Sequence, residues 1–231
     1  MVRFLGVPKT ARLTSSLSSS QEDYVKALYK LRHTGHGVST SELAEHLHVS
    51  APSVSEMFGK LAALGLVSHD RYRGAELTER GEAVAVEMIR HHRLLEMYLV
   101  KALGYSWDEV HEEAERLEHV ISEQFEERIA AALGRPRRDP HGDPIPSERG
   151  DLEESPHTPL TACAAGDLVR VRRVSDSDPD KLRAIGELGL QLGADVEVLE
   201  PSRYEGPITV RLGRRLRQIP LGLAREVFVG D

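Results

Sequence analysis

"STSELAEHLHVSAPSVSEMFGKLAALGLV", residues 39–67, decides how the N-terminal part of the chain folds. Ser39 or Thr40 can cap a helix whose Leu43, Ala44 and Leu47 share one face. "HVSAPS" interrupts that pattern. A second helix follows, with Val54, Phe58 and Leu61 as its buried stripe and Gly65 as its stop. Two short helices joined by a tight turn predict a helix-turn-helix. The second helix of such a pair meets base edges in the major groove by its N-terminal end. Here the outer positions near that end are Ser50, Pro52, Ser53, Glu56 and Lys60. Hydroxyls can bond phosphates or bases, a pyrrolidine ring can touch a thymine methyl, and a glutamate can accept from cytosine N4.

Working outward, "QEDYVKALYKLR" (21–32) places Tyr24, Leu28 and Leu31 at helical spacing behind a serine run that can cap it. Residues 1–17 lack the apolar core of a secretory signal and are expected to be a flexible arm. On the other side, "LVSHD" and "AELT" predict short strands around "RYRG", a hairpin with Arg71 and Arg73 near its tip. That hairpin is a wing. Residues 18–80 therefore predict a winged helix-turn-helix DNA-binding domain, in which Lys60, Arg71 and Arg73 supply charge for phosphates. The competing reading is a generic helix pair with solvated hairpin charges; the capped Ser/Pro start and basic wing together favour DNA.

Beyond residue 78 the sequence predicts a long helix through "TERGEAVAVEMIRHHRLLEMYLVKAL", capped by Thr78, and another through "SWDEVHEEAERLEHVISEQFEERIAAAL", ending at Gly134. Residues 81–138 are thus expected to be a helical domain. The Pro-, Gly- and charge-rich stretch 139–162 reads as a linker. In 163–231, "DLVRVRRV", "DVEVLE", "PITVRL" and "REVFVG" predict strands of a small SH3-like β-barrel. The fold class is mainly α with a small β domain.

Composition narrows the setting. The single cysteine, Cys163, requires no oxidising compartment, and no run approaches the ~18 apolar residues of a membrane span, so a cytoplasmic protein is expected. The net charge of −7 is unevenly spread: +3 over residues 1–75, −10 over 76–160 and zero over 161–231. A basic head followed by an acidic middle suits a DNA contact beside a cation site, although solvated helix faces would give the same counts.

The acids of "VHEEAERLEHV" (110–120) are not spread at random. On a helix started at Val110, the apolar Ala114, Leu117, Ile121 and Phe125 fall within about 60° of it, and His111, Glu118, Glu115 and His119 lie on one flank, between about 80° and 180°. Carboxylates at a half-buried edge repel and lose hydration unless a cation offsets both. The preceding helix offers His92 and Glu96 one turn apart, a spacing able to grip one ion. Imidazole and carboxylate without thiolate suit hard or borderline divalent ions.

Taken in order, "SAPSVSEMFGKLAALGLV", "MIRHHRLLEMYL", "VHEEAERLEHVISE" and "DPHGDPIP" before a small β-domain resemble the iron- and manganese-dependent repressors of the diphtheria toxin repressor family, over residues 18–231. The resemblance implies a homodimer that binds double-stranded palindromic operator DNA when Mn(II), or alternatively Fe(II), is present, and that represses uptake genes for those metals. One implied metal position takes Asp23, Glu115, Glu118 and His119. Where iron-type members carry methionine and cysteine, this chain has Asp23 and Glu115, a harder set that favours manganese. A second implied position takes His92, Glu96 and His111, with Asp178 from the β-domain; Lys181 stands where another ligand would be. Lys26 stands where compact manganese-type members carry a glutamate joining two ions, so two separated sites are expected. Glu56 replaces a glutamine of the iron-type members, so the operator sequence should differ from theirs. Two alternatives are a winged-helix regulator of another effector and a metal-dependent hydrolase.

Overall fold

The structure, a computed structural model, describes residues 17–32, 36–70, 74–153, 158–202 and 204–230. The chain divides into two compact units: Met1–His92 with Leu117–Arg128 and Pro146–Leu152, and Arg93–Arg116 with Ile129–Ile145 and Glu153–Asp231. The expected arm lies outside the described residues except for Leu17, which packs on the first core.

In the first unit, α1 (Ser19–Leu31) and α2 (Thr40–His46) each start with a capping box, Ser18 with Gln21 and Ser39 with Glu42. α3 (Ala51–Ala63) is capped by Ser50, whose Oγ accepts from Ser53 N at 3.3 Å. Leu28, Leu43, Val54, Phe58, Leu61 and Leu66 fill the core beneath them. Gly65, at φ 70°, ends α3 in the left-handed region that glycine enters without penalty. β1 (Val67–Asp70) and β2 (Gly74–Leu77) pair antiparallel with Val67 opposite Leu77, and Val38 bridges to Ala75 beside them. Arg71 and Arg73 at the wing tip lie outside the described residues. Thr78 Oγ1 accepts from Gly81 N at 3.1 Å and donates to Gly65 O at 2.8 Å, starting α4 (Glu79–Leu103) as expected.

The next expected helix is broken. α5 spans Val110–Leu117 and α6 spans Glu123–Ala132, with a turn between. Ser122 restarts the chain: its Oγ accepts from Phe125 N at 3.2 Å and its carbonyl from Glu126 N at 2.9 Å. Phe125, placed on the core stripe by an unbroken wheel, is instead 43% exposed.

The second unit is built on a six-stranded antiparallel sheet in the order β3-β8-β4-β5-β6-β7. These strands are β3 (Thr158–Pro159), β4 (Leu168–Val174), β5 (Asp195–Glu200), β6 (Ile208–Leu212), β7 (Arg215–Ile219) and β8 (Val227–Gly230). The SH3-like expectation holds loosely: β3 and β7 are the outer strands of an open, barrel-like sheet. Val171, Val196, Val198, Val210 and Val229 point inward and meet Leu182 and Ile185 of α7 (Pro179–Leu188), with α8 (Leu221–Ala224) closing the core.

The stretch expected as a linker is largely built structure. Asp139, His141 and Ile145 are buried, Asp139 N donates to Asp143 O at 3.0 Å, and Val174 N donates to His141 O at 2.9 Å. Gly142, at φ 93°, lies so close to β4 that a Cβ there would meet Arg172 O at 2.1 Å. Only glycine fits. Proline and glycine therefore serve here to seat a tight turn on a strand.

Candidate functional site

The exposed face of α3 is as the periodicity predicts. Ser50, Pro52, Ser53, Glu56 and Lys60 all face solvent, while Val54, Phe58 and Leu61 are fully buried. The hydroxyls of Ser50 and Ser53 share a hydrogen bond of 2.8 Å. Lys60 Nζ sits 2.8 Å from Glu56 Oε1 one turn away, and its hydrogen bond holds the Glu56 carboxyl below its ordinary range.

In the first unit, Asp23 on α1 meets the turn that follows α5. Asp23, Glu118 and His119 each bring one donor atom within 4.8 Å of the others. Asp23 Oδ1 lies 3.0 Å from His119 Nε2, is itself buried, and makes no hydrogen bond. On the far side of the ring, His119 Nδ1 is 2.6 Å from Glu22 Oε2. The Asp23 carboxylate beside Nε2, against the effect of burial and with Glu22 adding to it, raises the His119 pKa to about 9. This set fits a divalent ion: an ion on Nε2 would replace the proton there, leaving Nδ1–H to donate to Glu22, the arrangement that orients histidine ligands.

Glu118 is 1% exposed. Its Oε1 accepts from Lys26 Nζ at 2.5 Å and its Oε2 lies 2.6 Å from His92 Nδ1. His92, expected beside Glu96 through their spacing on α4, thus gives one nitrogen to Glu118. Glu115 extends toward His111 on its own helix, with Oε1 3.7 Å from Nε2. Glu22 was not foreseen; it adjoins Asp23, and nothing in the spacing separates the two.

In the second unit, Glu96 is fully buried between two imidazoles. Its Oε1 is 3.1 Å from His111 Nδ1, and its Oε2 is 3.6 Å from His141 Nδ1. Asp176 Oδ2 lies 3.4 Å from the same nitrogen of His111. His141 Nε2 donates to Trp107 O at 2.7 Å, because a carbonyl can only accept. That bond places the ring proton on Nε2. Nδ1 faces Glu96 and has no hydrogen-bond partner, so a neutral ring would offer its lone pair there. Burial works against a charged His141, yet Glu96 and Asp139 hold its pKa up at about 9. Asp139, the third member of a buried Glu96–Asp139–His141 group, is pushed to about 8 by burial and by Glu96. Its Oδ1 accepts from the backbone of His141 and Asp143 at 2.9 Å each, which shapes the turn.

Asp178 is not brought to this group. It caps α7, its Oδ1 accepting from Asp180 N at 3.0 Å and Lys181 N at 3.1 Å, and Asp176 stands at His111 instead. The reason was present in "DSDPDK": an aspartate before proline is a helix start, and capping engages its Oδ1. Lys181 Nζ pairs with Glu226 Oε1 at 2.7 Å.

Three family descriptions match in sequence along the chain: "Iron dependent repressor, N-terminal DNA binding domain" over residues 16–75, "Iron dependent repressor, metal binding and dimerisation domain" over 78–147, and "FeoA domain" over 158–230. The iron-dependent repressor IdeR of Mycobacterium tuberculosis is 36% identical over 194 residues, covering 84% of this chain and 82% of that protein. The diphtheria toxin repressor of Corynebacterium diphtheriae is 29% identical over 204 residues, covering 84% and 89%. A solved manganese-dependent transcriptional repressor in complex with manganese superposes with a TM-score of 0.83 at 41% identity, covering 91% of this chain and 99% of the other. By sequence and by structure, the chain belongs to the iron-dependent repressor family, the family of the diphtheria toxin repressor.

Proposed function

We propose that this chain is a homodimeric, metal-activated repressor that binds palindromic operator DNA and controls uptake genes for manganese or iron, with Mn(II) as the preferred activator. It is a regulator, not an enzyme. The observation that carries this reading is the meeting of Asp23, on the first helix of the DNA-reading domain, with Glu118 and His119. These three residues are assigned to one ion; a divalent ion there would supply the positive charge that their carboxylates lack. Oxygen and imidazole donors without sulfur favour Mn(II), with Fe(II) as the alternative.

In the mechanism, Glu22 holds His119 with Nε2 toward Asp23, and His92 and Lys26 hold Glu118 in place. Asp23 then fixes α1, and through the shared core of α1 and α3 it fixes the face that reads DNA. Two such faces in a dimer, about 34 Å apart, enter successive major grooves. Lys26 stands against Glu118 as a covalently attached cation, so this group is assigned one ion rather than a bridged pair. Glu96, His111, Asp176 and His141 are assigned to a second ion. No described helix is long and apolar enough to cross a membrane, and we assign the protein to the cytoplasm.

The test is selection of double-stranded fragments from a random pool by the full-length protein, with and without Mn(II). Palindromes with half-sites roughly 10 base pairs apart are expected to be enriched only with the metal. Enrichment that ignores Mn(II) would favour a regulator of another effector.

A further inference from the structure

We infer that Glu87 and His91 of α4, together with Glu123 at the start of α6, form an additional divalent-cation site, made of residues that neither group above uses. Glu87 and His91 are one turn apart on the same face of α4. A donor atom from each of the three residues lies within 4.8 Å of the other two.

His91 is 1% exposed, and neither of its ring nitrogens makes a hydrogen bond. Nε2 lies 2.9 Å from Glu126 Oε2 and 3.6 Å from Glu123 Oε1, an ion pair with two carboxylates. Against burial, the surrounding carboxylates hold the His91 pKa up at about 9, so in the metal-free protein the ring answers them as an imidazolium; a divalent ion would take the place of that proton and bring two charges to the same carboxylates. Glu126 is already engaged: Arg90 Nε donates to its Oε1 at 2.6 Å, and Arg90 Nη1 donates to Pro146 O at 2.5 Å. Arg90 therefore makes Glu126 a fixed wall of the site, and Glu87, His91 and Glu123, whose donor atoms converge, are assigned as its ligands.

Glu87 agrees with this reading, since burial first and the neighbouring Glu123 second push its pKa up to about 7. Two carboxylates brought together beside a buried ring gain most when a cation sits among them. The Glu123 side chain is 52% exposed, which leaves a way in from solvent and room for water in the remaining positions. One nitrogen and two oxygens suit Mn(II), Fe(II) or Zn(II).

Full-length protein, E87Q, E123Q, H119A and the H119A/E123Q double variant would be dialysed against Mn(II), and separately against Zn(II). Bound metal is then counted by mass spectrometry, with circular dichroism as the check on folding. E87Q and E123Q should each lose about one equivalent per subunit, and the double variant about one more than H119A. A wild-type count in E123Q for both metals would overturn the assignment. Should E87Q misfold, the half-exposed E123Q decides alone. A loss in E123Q but none in H119A would instead sink the Asp23–Glu118–His119 assignment and leave this one standing.

Discussion

The two ligand groups neutralise their carboxylates by different means. Around Glu118 the first unit places a permanent ammonium, Lys26, and an imidazole, His92. Around Glu96 the second unit places two imidazoles, His111 and His141. A lysine keeps its charge throughout the physiological range, whereas an imidazole can surrender its proton to a metal. The first group thus carries a counter-charge that no metal replaces, and the part it offers to an ion is the Asp23–His119 side. The second group offers everything it has.

The sharpest way to break this contrast is to remove the fixed charge. Lys26→Met should destabilise the metal-free protein by about 3–5 kcal/mol, because Glu118 would be left buried without its cation. Urea denaturation measures this, and a wild-type midpoint would show that Glu118 does not depend on Lys26. Next in size, His119→Ala should lower operator affinity in Mn(II) by roughly 5- to 150-fold, the range of typical coupling energies, while the metal-free affinity stays put. A fluorescence anisotropy titration with undiminished manganese stimulation would remove His119 from the switch.

A third experiment uses pH. His119 is held at about 9, so without metal it is an imidazolium at neutral pH, and binding must displace its proton. Raising the pH removes that competitor. Mn(II) affinity at this group should climb by about tenfold per pH unit from roughly pH 7 toward 9, and calorimetry in buffers of different ionisation heat should show about one proton released. A flat profile would mean that the ion does not take Nε2. The smallest effect concerns the DNA face: Lys60→Ala should reduce the salt-dependence slope of operator binding by about one unit. An unchanged slope would place Lys60 off the phosphates.

Legibility followed the length scale of the interactions. The helix pair could be read because each of its stripes, caps and stops lies within a few residues of the element it defines. Glu118 and His119 could be picked out, but not the turn they occupy, because an unbroken wheel carries straight through Ser122, whose capping role competes with helix continuation. β7 went unread because its outward positions, Arg215 and Leu216 among them, are exposed at a sheet edge and lack the alternation of a half-buried strand. His141 was hidden for a different reason. Its partner Glu96 is 45 positions away, and the prolines and glycine around it carry a loop signal that says nothing of what the loop rests on.

Gly142 marks a boundary of inheritance. Even the smallest side chain at that position would run into the Arg172 carbonyl of β4, so the turn and the strand can change only together. A recombination or engineered fusion that cuts between residues 145 and 168, where the sequence invites a cut, would separate partners shaped against each other. The C-terminal sheet should transfer between relatives as a working part only when residues 139–145 travel with it.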